Sequence, residues 1–217
     1  MMKKIAILQS NYVPWLGYFQ FIESVDEFIL YDDVQFTKND WRNRNRIKTP
    51  QRVQWLSIPV GKSIGRRVRD VEVSAPWREN HWKTLELNYR RAPGFDKAAE
   101  WLQPLYLESQ ATNLSEINRA FIGAICNELG ITTHITSSSQ YELVGDRNER
   151  LVHLSLQTNA THYVSGPAAK AYLDPQKFSE HSISVEWFDY PEQMPYPQLW
   201  GGFVGGLSAL DFLLNQA

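Results

Sequence analysis

The first thirty-three residues constrain the chain most. An apolar run, Ile5-Ala6-Ile7-Leu8, is followed by a loop, a short amphipathic stretch and a second apolar run that ends in Asp32-Asp33. Unbroken apolar runs of this length read as strands covered on both faces. Residues 4–9 are therefore expected to form a buried first strand, and Glu27–Tyr31 a second. Between them, Ser10–Gly17 carries Pro14 and Gly17 and reads as a loop. Tyr18–Val25 places apolar residues at 18, 19, 22 and 25, a helical spacing. A strand-loop-helix-strand unit this short favours a parallel pair joined by a right-handed crossover.

The next segment has a different period. Arg42–Lys48 alternates, Thr49-Pro50-Gln51 turns, Val53–Val60 runs extended, and Val68–Val73 reads as a further strand. Residues 42–73 are thus expected to be an antiparallel β insertion. Residues 77–129 read as helical, broken at Pro93-Gly94. Asn113-Leu114-Ser115-Glu116 offers an N-cap, and Gly130 a stop. Strands at 131–136, 161–164 and 183–188 alternate with helices at 148–158 and after Gly166, and 207–215 closes the chain as a helix. The expected fold class is α/β: a mostly parallel, Rossmann-like sheet flanked by helices, with an inserted antiparallel hairpin or meander and a helical segment, all in one domain over 1–217.

Composition narrows the class. The 217 residues are 43% hydrophobic and 21% charged, which excludes disorder as the main state. Cys126 is the single cysteine, so an intrachain disulfide and a cysteine-based zinc site are excluded. The five histidines show no metal-ligand spacing, and no metal site is expected. The apolar start is too short for a signal-peptide core, and no run approaches the ~18 residues of a membrane span. The expected location is a reducing cytoplasm.

Charge is unevenly placed. Ten basic residues and one acid, Asp40, lie between Lys38 and Arg69, so this window is +9 and the remainder of the chain, at a net −2 overall, is −11. Seven of the ten are arginines, the better bidentate partners for phosphate. An anionic partner is expected.

Four stretches carry candidate chemistry. Gln9, Asn11, Tyr12, Trp15, Gly17 and Tyr18 surround the end of the first strand, where open α/β sheets collect ligands. Gly17 before a helix would let a phosphate or an activated carbonyl approach backbone N–H groups. Asp32 and Asp33, with Gln35, follow the second strand and would hold a ribose or Mg²⁺, or act as general base. Lys38, Arg42, Asn43 and Arg44 open the basic window; in an extended chain Arg42, Arg44 and Arg46 share one face and Asn43 and Asn45 the other. Ser165, Gly166 and Lys170 follow a strand and would hold a phosphate. Asn148-Glu149-Arg150 stands at another helix start as a further candidate. Walker A, G-x-G-x-x-G and G-x-S-x-G motifs are all absent. Pro14-Trp15-Leu16-Gly17-Tyr18 resembles in spacing the first signature of the nucleotidylyltransferases, but Trp15 and Tyr18 stand where that signature has its phosphate-binding histidines.

Several longer stretches, taken together, resemble the WbqC-like protein family. They are Ile5–Phe19, Tyr31–Asn45, Trp55–Val60, Ser165–Leu173 and Leu207–Asn215, and the resemblance extends over essentially the whole chain. It implies a bacterial protein of O-antigen or other surface-polysaccharide biosynthesis. The activity it implies is transfer of an aminoacyl group, glycine in particular, onto a nucleotide-linked amino sugar. Asp32 or Asp33 would then take the amine proton, and Arg42, Arg44 and Lys170 would hold phosphate. The donor is left open between an adenylate made with ATP and Mg²⁺ and an aminoacyl-tRNA. Two alternatives stand beside this reading: a nucleotidyltransferase-like activating enzyme, and a non-catalytic RNA- or tRNA-binding module. A homodimer, or a partner surface on a polysaccharide assembly, is compatible with the tryptophan and tyrosine content.

Overall fold

The structure, a computed structural model, describes residues 2–216. Along the chain come β1 (Lys4–Leu8), α1 (Leu16–Glu23), β2 (Glu27–Leu30), β3 (Arg44–Lys48), β4 (Val53–Ser57), α2 (Arg78–Tyr89), α3 (Phe95–Leu107) and α4 (Leu114–Glu128). They are followed by β5 (His134–Ser137), α5 (Arg147–Gln157), β6 (His162–Ser165), α6 (Pro175–Ser179), β7 (Ser184–Trp187) and α7 (Ala209–Asn215). Five strands form a parallel sheet in the order β5-β2-β1-β6-β7, and β3 and β4 form a separate antiparallel pair. The first parallel pair sets Ala6 beside Phe28 and Ile7 beside Ile29.

The alternation of side chains across β1 and β2 divides the core in two. Ala6, Phe28 and Leu30 face α1 through α4 and pack with Phe21, Leu85, Leu102 and Phe121. Ile5, Ile7, Ile29 and Tyr31 face α5 and α6 and pack with Leu151, Leu154 and Phe178. Cys126 is buried on α4, and burial pushes its thiol up to about 12, so it is a packing group.

The helices start where local chemistry satisfies their free N–H groups. Asn113 accepts from the N–H groups of Ser115 and Glu116 at α4, and Asp146 and Glu149 form a reciprocal capping box at α5. Residues 68–73 depart from the expected third strand of the insertion. Val68–Asp70 is a 3-10 turn, and the backbone beyond it bonds mainly to the segment before α4: Val73 N–H to Thr112 O, and Leu114 N–H to Val71 O. The isolated bridge Val60–Val73 is what remains of pairing with the end of the β4 segment.

One polar group lies deep in the helical side. His81 on α2 is buried, with Nδ1 2.9 Å from the Tyr12 hydroxyl, which in turn lies 2.7 Å from that of Tyr106. Burial lowers the His81 pKa from 6.5 to about 4, against a smaller opposing hydrogen bond from the Ser57 backbone. The folded state therefore favours the neutral ring. Its contribution is complete above 6.5 and is lost as pH falls toward 4. Between those limits the wild type is expected to lose about 3 kcal/mol of unfolding free energy that a His81→Gln variant does not lose. Urea titrations of both proteins across this range check it; parallel pH profiles would contradict it.

Candidate functional site

The chain builds outward from β1 to β2 and β5, then returns to place β6 and β7 on the other side of β1. The loops after β1 and β6 therefore diverge, the arrangement that leaves a crevice at the carboxyl ends of parallel strands. A cleft of about 560 Å³ opens there, within the range that suits a small ligand. Gln9 reaches it from β1, Asp33 and Gln35 from β2, and Ser165 and Gly166 from β6. The first turn of α5 adds Arg147 and Arg150.

The two neighbouring acids have different surroundings. Asp32 is buried; Oδ1 accepts from Ser10 N–H at 2.8 Å and Oδ2 accepts from the Ser115 hydroxyl. Its backbone carbonyl accepts from Arg69 N–H. Asp32 thus ties the end of β1, the start of α4 and the basic segment together, and it does not line the cleft. Asp33 does line it. Its Oδ1 lies 2.9 Å from Arg69 Nη1 and 3.5 Å from Arg67 Nη1, and Oδ2 accepts from Ser138 Oγ at 2.8 Å.

Cationic and phenolic groups line the same cleft. Arg147 lies over the Tyr172 ring at 3.3 Å, and Arg150 donates through Nε to Gly145 O at 3.0 Å. Burial raises the Tyr31 pKa, with Arg150 acting in the opposite sense, and burial also raises that of Tyr190. Both phenols therefore stay protonated at neutral pH and serve as donors.

A smaller recess of about 300 Å³ adjoins the cleft, lined by Asn11, Trp15, Trp41, Asn45, Arg46 and Gly206 among others. Two contacts join them. Arg42 donates to Gln9 Oε1 at 3.1 Å and to Asn11 Oδ1, and the Trp15 and Tyr190 rings lie 5.3 Å apart. The loop between is held under backbone strain. Val13 has φ +37°, which a β-branched residue rarely adopts, and its carbonyl is clamped by Asn45 Nδ2 and Ser208 Oγ.

The other expected site residues lie elsewhere. Tyr12 is core, bonded to His81 and Tyr106, and Tyr18 is buried with its hydroxyl on Gln9 O. Gly17 is covered by the Trp15 indole, whose nearest atom would lie 2.2 Å from an added Cβ; the glycine allows that ring to pack. Asn43 is buried and donates to Ile58 O. Arg44 stacks on Trp55, Lys38 is exposed outside the cleft lining, and the Lys170 ammonium lies 5.6 Å from the Trp187 ring. The basic window is thus spread over several settings. Arg67 and Arg69 pair with Asp33 and Asp70, Lys48 is buried against Gln198 and Gly202, and Arg46 donates to Gly206 O.

Arg147, Tyr31, Tyr172 and Tyr190 were not singled out by sequence reasoning. The one available signal was the D-x-x-E capping pattern at Asp146-Glu149, which marks a helix start without saying which strand ends it faces. Among the described residues no group of three or more His, Cys, Asp or Glu side chains is placed to hold a metal ion, and no helix is long and apolar enough to cross a membrane.

The contrast between the two acids is open to measurement. Asp32→Ala strips partners from a buried N–H and a hydroxyl and is expected to cost about 3 kcal/mol. Asp33→Ala frees two arginines that reach solvent and takes the acceptor from one buried hydroxyl, that of Ser138, and is expected to cost less, about 1–2 kcal/mol. Urea denaturation of the two variants checks the order; equal losses would contradict it.

The profile of the WbqC-like protein family matches residues 9–217. An uncharacterized protein of Mycobacterium tuberculosis, Rv1507c, is 52% identical over 217 residues, covering 99% of this chain and 94% of its own length. No solved structure matches the chain significantly. The profile match and this relative both extend over the loops after β1 and β2, the hairpin and the segment after β6, the elements that frame the cleft, and they show that the chain belongs to the WbqC-like protein family.

Proposed function

We propose that the cleft binds a nucleotide-linked amino sugar and transfers an aminoacyl group, glycine in particular, to its amine, as a step in surface-polysaccharide biosynthesis. The observation that carries this reading is the meeting of a carboxylate, Asp33, with an arginine pair, Arg147 and Arg150, in one crevice at the strand-order reversal. A diphosphate needs the arginines, an amine needs the carboxylate, and a small acceptor needs an enclosed cleft rather than a broad basic face.

In the reaction the amine nitrogen bonds to the acyl carbonyl carbon. The bond from that carbon to the donor oxygen breaks, and the oxygen leaves with the electron pair. Asp33 takes the amine proton. The donor oxygen belongs to an adenylate phosphate or to the terminal ribose of an aminoacyl-tRNA. Arg147 and Arg150 hold the acceptor diphosphate, in place of the Arg44 and Lys170 assignment, because these two line the cleft. Arg42 holds Gln9 and Asn11 at its edge. Tyr31 and Tyr190 donate to acceptor oxygens.

Arg150→Ala is expected to weaken binding of a nucleotide-linked amino sugar at least tenfold by calorimetry. Asp33→Asn is expected to keep binding within a few-fold and to lower turnover by ~100-fold or more. Unchanged affinity in Arg150→Ala, or full turnover in Asp33→Asn, would overturn the assignment.

A further inference from the structure

The recess beside the cleft has no role in the acyl transfer described above. Trp41 and Arg46 in its lining continue onto the outer face of the β3–β4 hairpin, where Arg46 pairs across with Trp55 and Arg44 with Ser57. Trp55 and its neighbour Trp41 remain 42% and 40% exposed, although this chain buries most of its large aromatic side chains. Their ring centroids lie 5.4 Å apart at 37°. Guanidinium groups brace both indoles: Arg44 lies 4.3 Å over Trp55, and Arg46 lies 5.6 Å from Trp41 and 5.8 Å from Trp55. Cation–π contact at these distances holds the rings in place without covering them.

The polar lining is one-sided. Asn45 spends both its amide groups on backbone, with Nδ2 on the carbonyls of Tyr12 and Val13 and Oδ1 on Arg46 N–H. Asn11 Oδ1 is taken by Arg42. Arg46 Nη2 donates to Gly206 O at 3.0 Å, while the buried Nε groups of Arg44 and Arg46 have no partner among the described residues. Gly206 permits this closeness; its φ is +65°, and an added Cβ would lie 3.3 Å from Arg46 Nη2. Among the described residues no acidic side chain lines the recess. What remains is donor capacity, from Asn11 Nδ2 and the Arg46 guanidinium, beside indole walls. A polyhydroxylated ring would find no carboxylate among the lining side chains to accept from its hydroxyls. A flat ring rich in carbonyl and ring-nitrogen acceptors, attached to phosphate, matches both features.

We propose that this recess is a nucleobase subsite, in which an unpaired base carried on a phosphate stacks on Trp41 with its acceptor edge toward Arg46 and Asn11. The inference rests on the acyl-transfer reading only for the source of the base. The base belongs either to the nucleotide of the acceptor or to the single-stranded end of an RNA donor, which the link through Arg42 and Gln9 would bring to the cleft.

Calorimetry at fixed salt tests this with AMP, UMP, ribose 5-phosphate as the base-free control, and a single-stranded RNA hexamer. The mononucleotides or the hexamer are expected to bind at least tenfold more tightly than ribose 5-phosphate. Trp41→Ala is expected to lose about tenfold, in line with base–aromatic stacking, and Trp41→Phe to keep affinity within a few-fold. Equal affinity for the base-free control, no binding of either nucleotide form, or unchanged affinity in Trp41→Ala would overturn the proposal. A hexamer that binds at least tenfold more tightly than the mononucleotides, with steep salt dependence, places the base on RNA; a hexamer that binds no more tightly places it on the small acceptor. If Arg150→Ala leaves amino-sugar nucleotide binding intact while Trp41→Ala abolishes base binding, the cleft reading falls and the subsite stands. The reverse pattern removes the subsite alone.

Discussion

The cleft depends on one buried carboxylate. Asp32 terminates β2 and collects a backbone N–H from the end of β1, a hydroxyl from the start of α4 and, through its carbonyl, the backbone of the basic segment. A buried ionisable group of this kind persists only when its partners satisfy it. Here those partners come from three distant parts of the chain, so fixing Asp32 fixes the loops that frame the site. Asn118 adds a second tie from α4, donating to Ser10 Oγ and to Arg42 O. The rim of the crevice is therefore set largely by hydrogen bonds to backbone and short polar side chains, with Arg42 holding Gln9 and Asn11 at its edge.

That division of labour explains why adjacent residues differ so much. Asp32 faces inward and holds architecture, while Asp33 faces the cleft and two arginines. Asn45 fastens the hairpin to the loop after β1 and Asn43 ties it to the segment beyond β4, while Arg44 and Arg46 on the opposite face steady two exposed indoles. A strand with one pinned face and one charged, aromatic face is suited to present a binding surface at a fixed distance from the sheet.

Much of this was legible in the sequence, for local reasons. The β1-α1-β2 unit announces itself because each element is a continuous run with its own period. Gln9, Asp33, Gln35, Ser165 and Gly166 stand out because they lie at or soon after strand ends, where parallel sheets leave room for ligands. The alternation of Arg and Asn from 42 to 46 predicts two faces, and the structure has them. What stayed hidden depends on distant partners. The 68–73 segment pairs with residues about forty positions later, and no local pattern carries that. Tyr12 sits in a loop with site-like composition and Tyr18 in the first turn of α1 that follows it, yet a histidine and a tyrosine on two later helices draw Tyr12 into the core, and the Gln9 carbonyl holds the Tyr18 hydroxyl. Arg147 faces the cleft only because the chain returns across the sheet to place β6 beside β1. The basic window is conspicuous as a charge run, but charge alone does not reveal that Arg67 and Arg69 turn to Asp33 while Lys48 turns inward.

The central claim is that the crevice at the β1–β6 reversal holds a nucleotide-linked amino sugar, with the amine toward Asp33 and the diphosphate toward Arg147 and Arg150. A crystal structure of the protein with a uridine-diphosphate amino sugar tests this most directly. The account predicts the amine within hydrogen-bond distance of the Asp33 carboxylate and phosphate oxygens on the two arginines. A ligand seated elsewhere, such as the open groove between Trp77 and Thr112, or an amine turned away from Asp33, would contradict it.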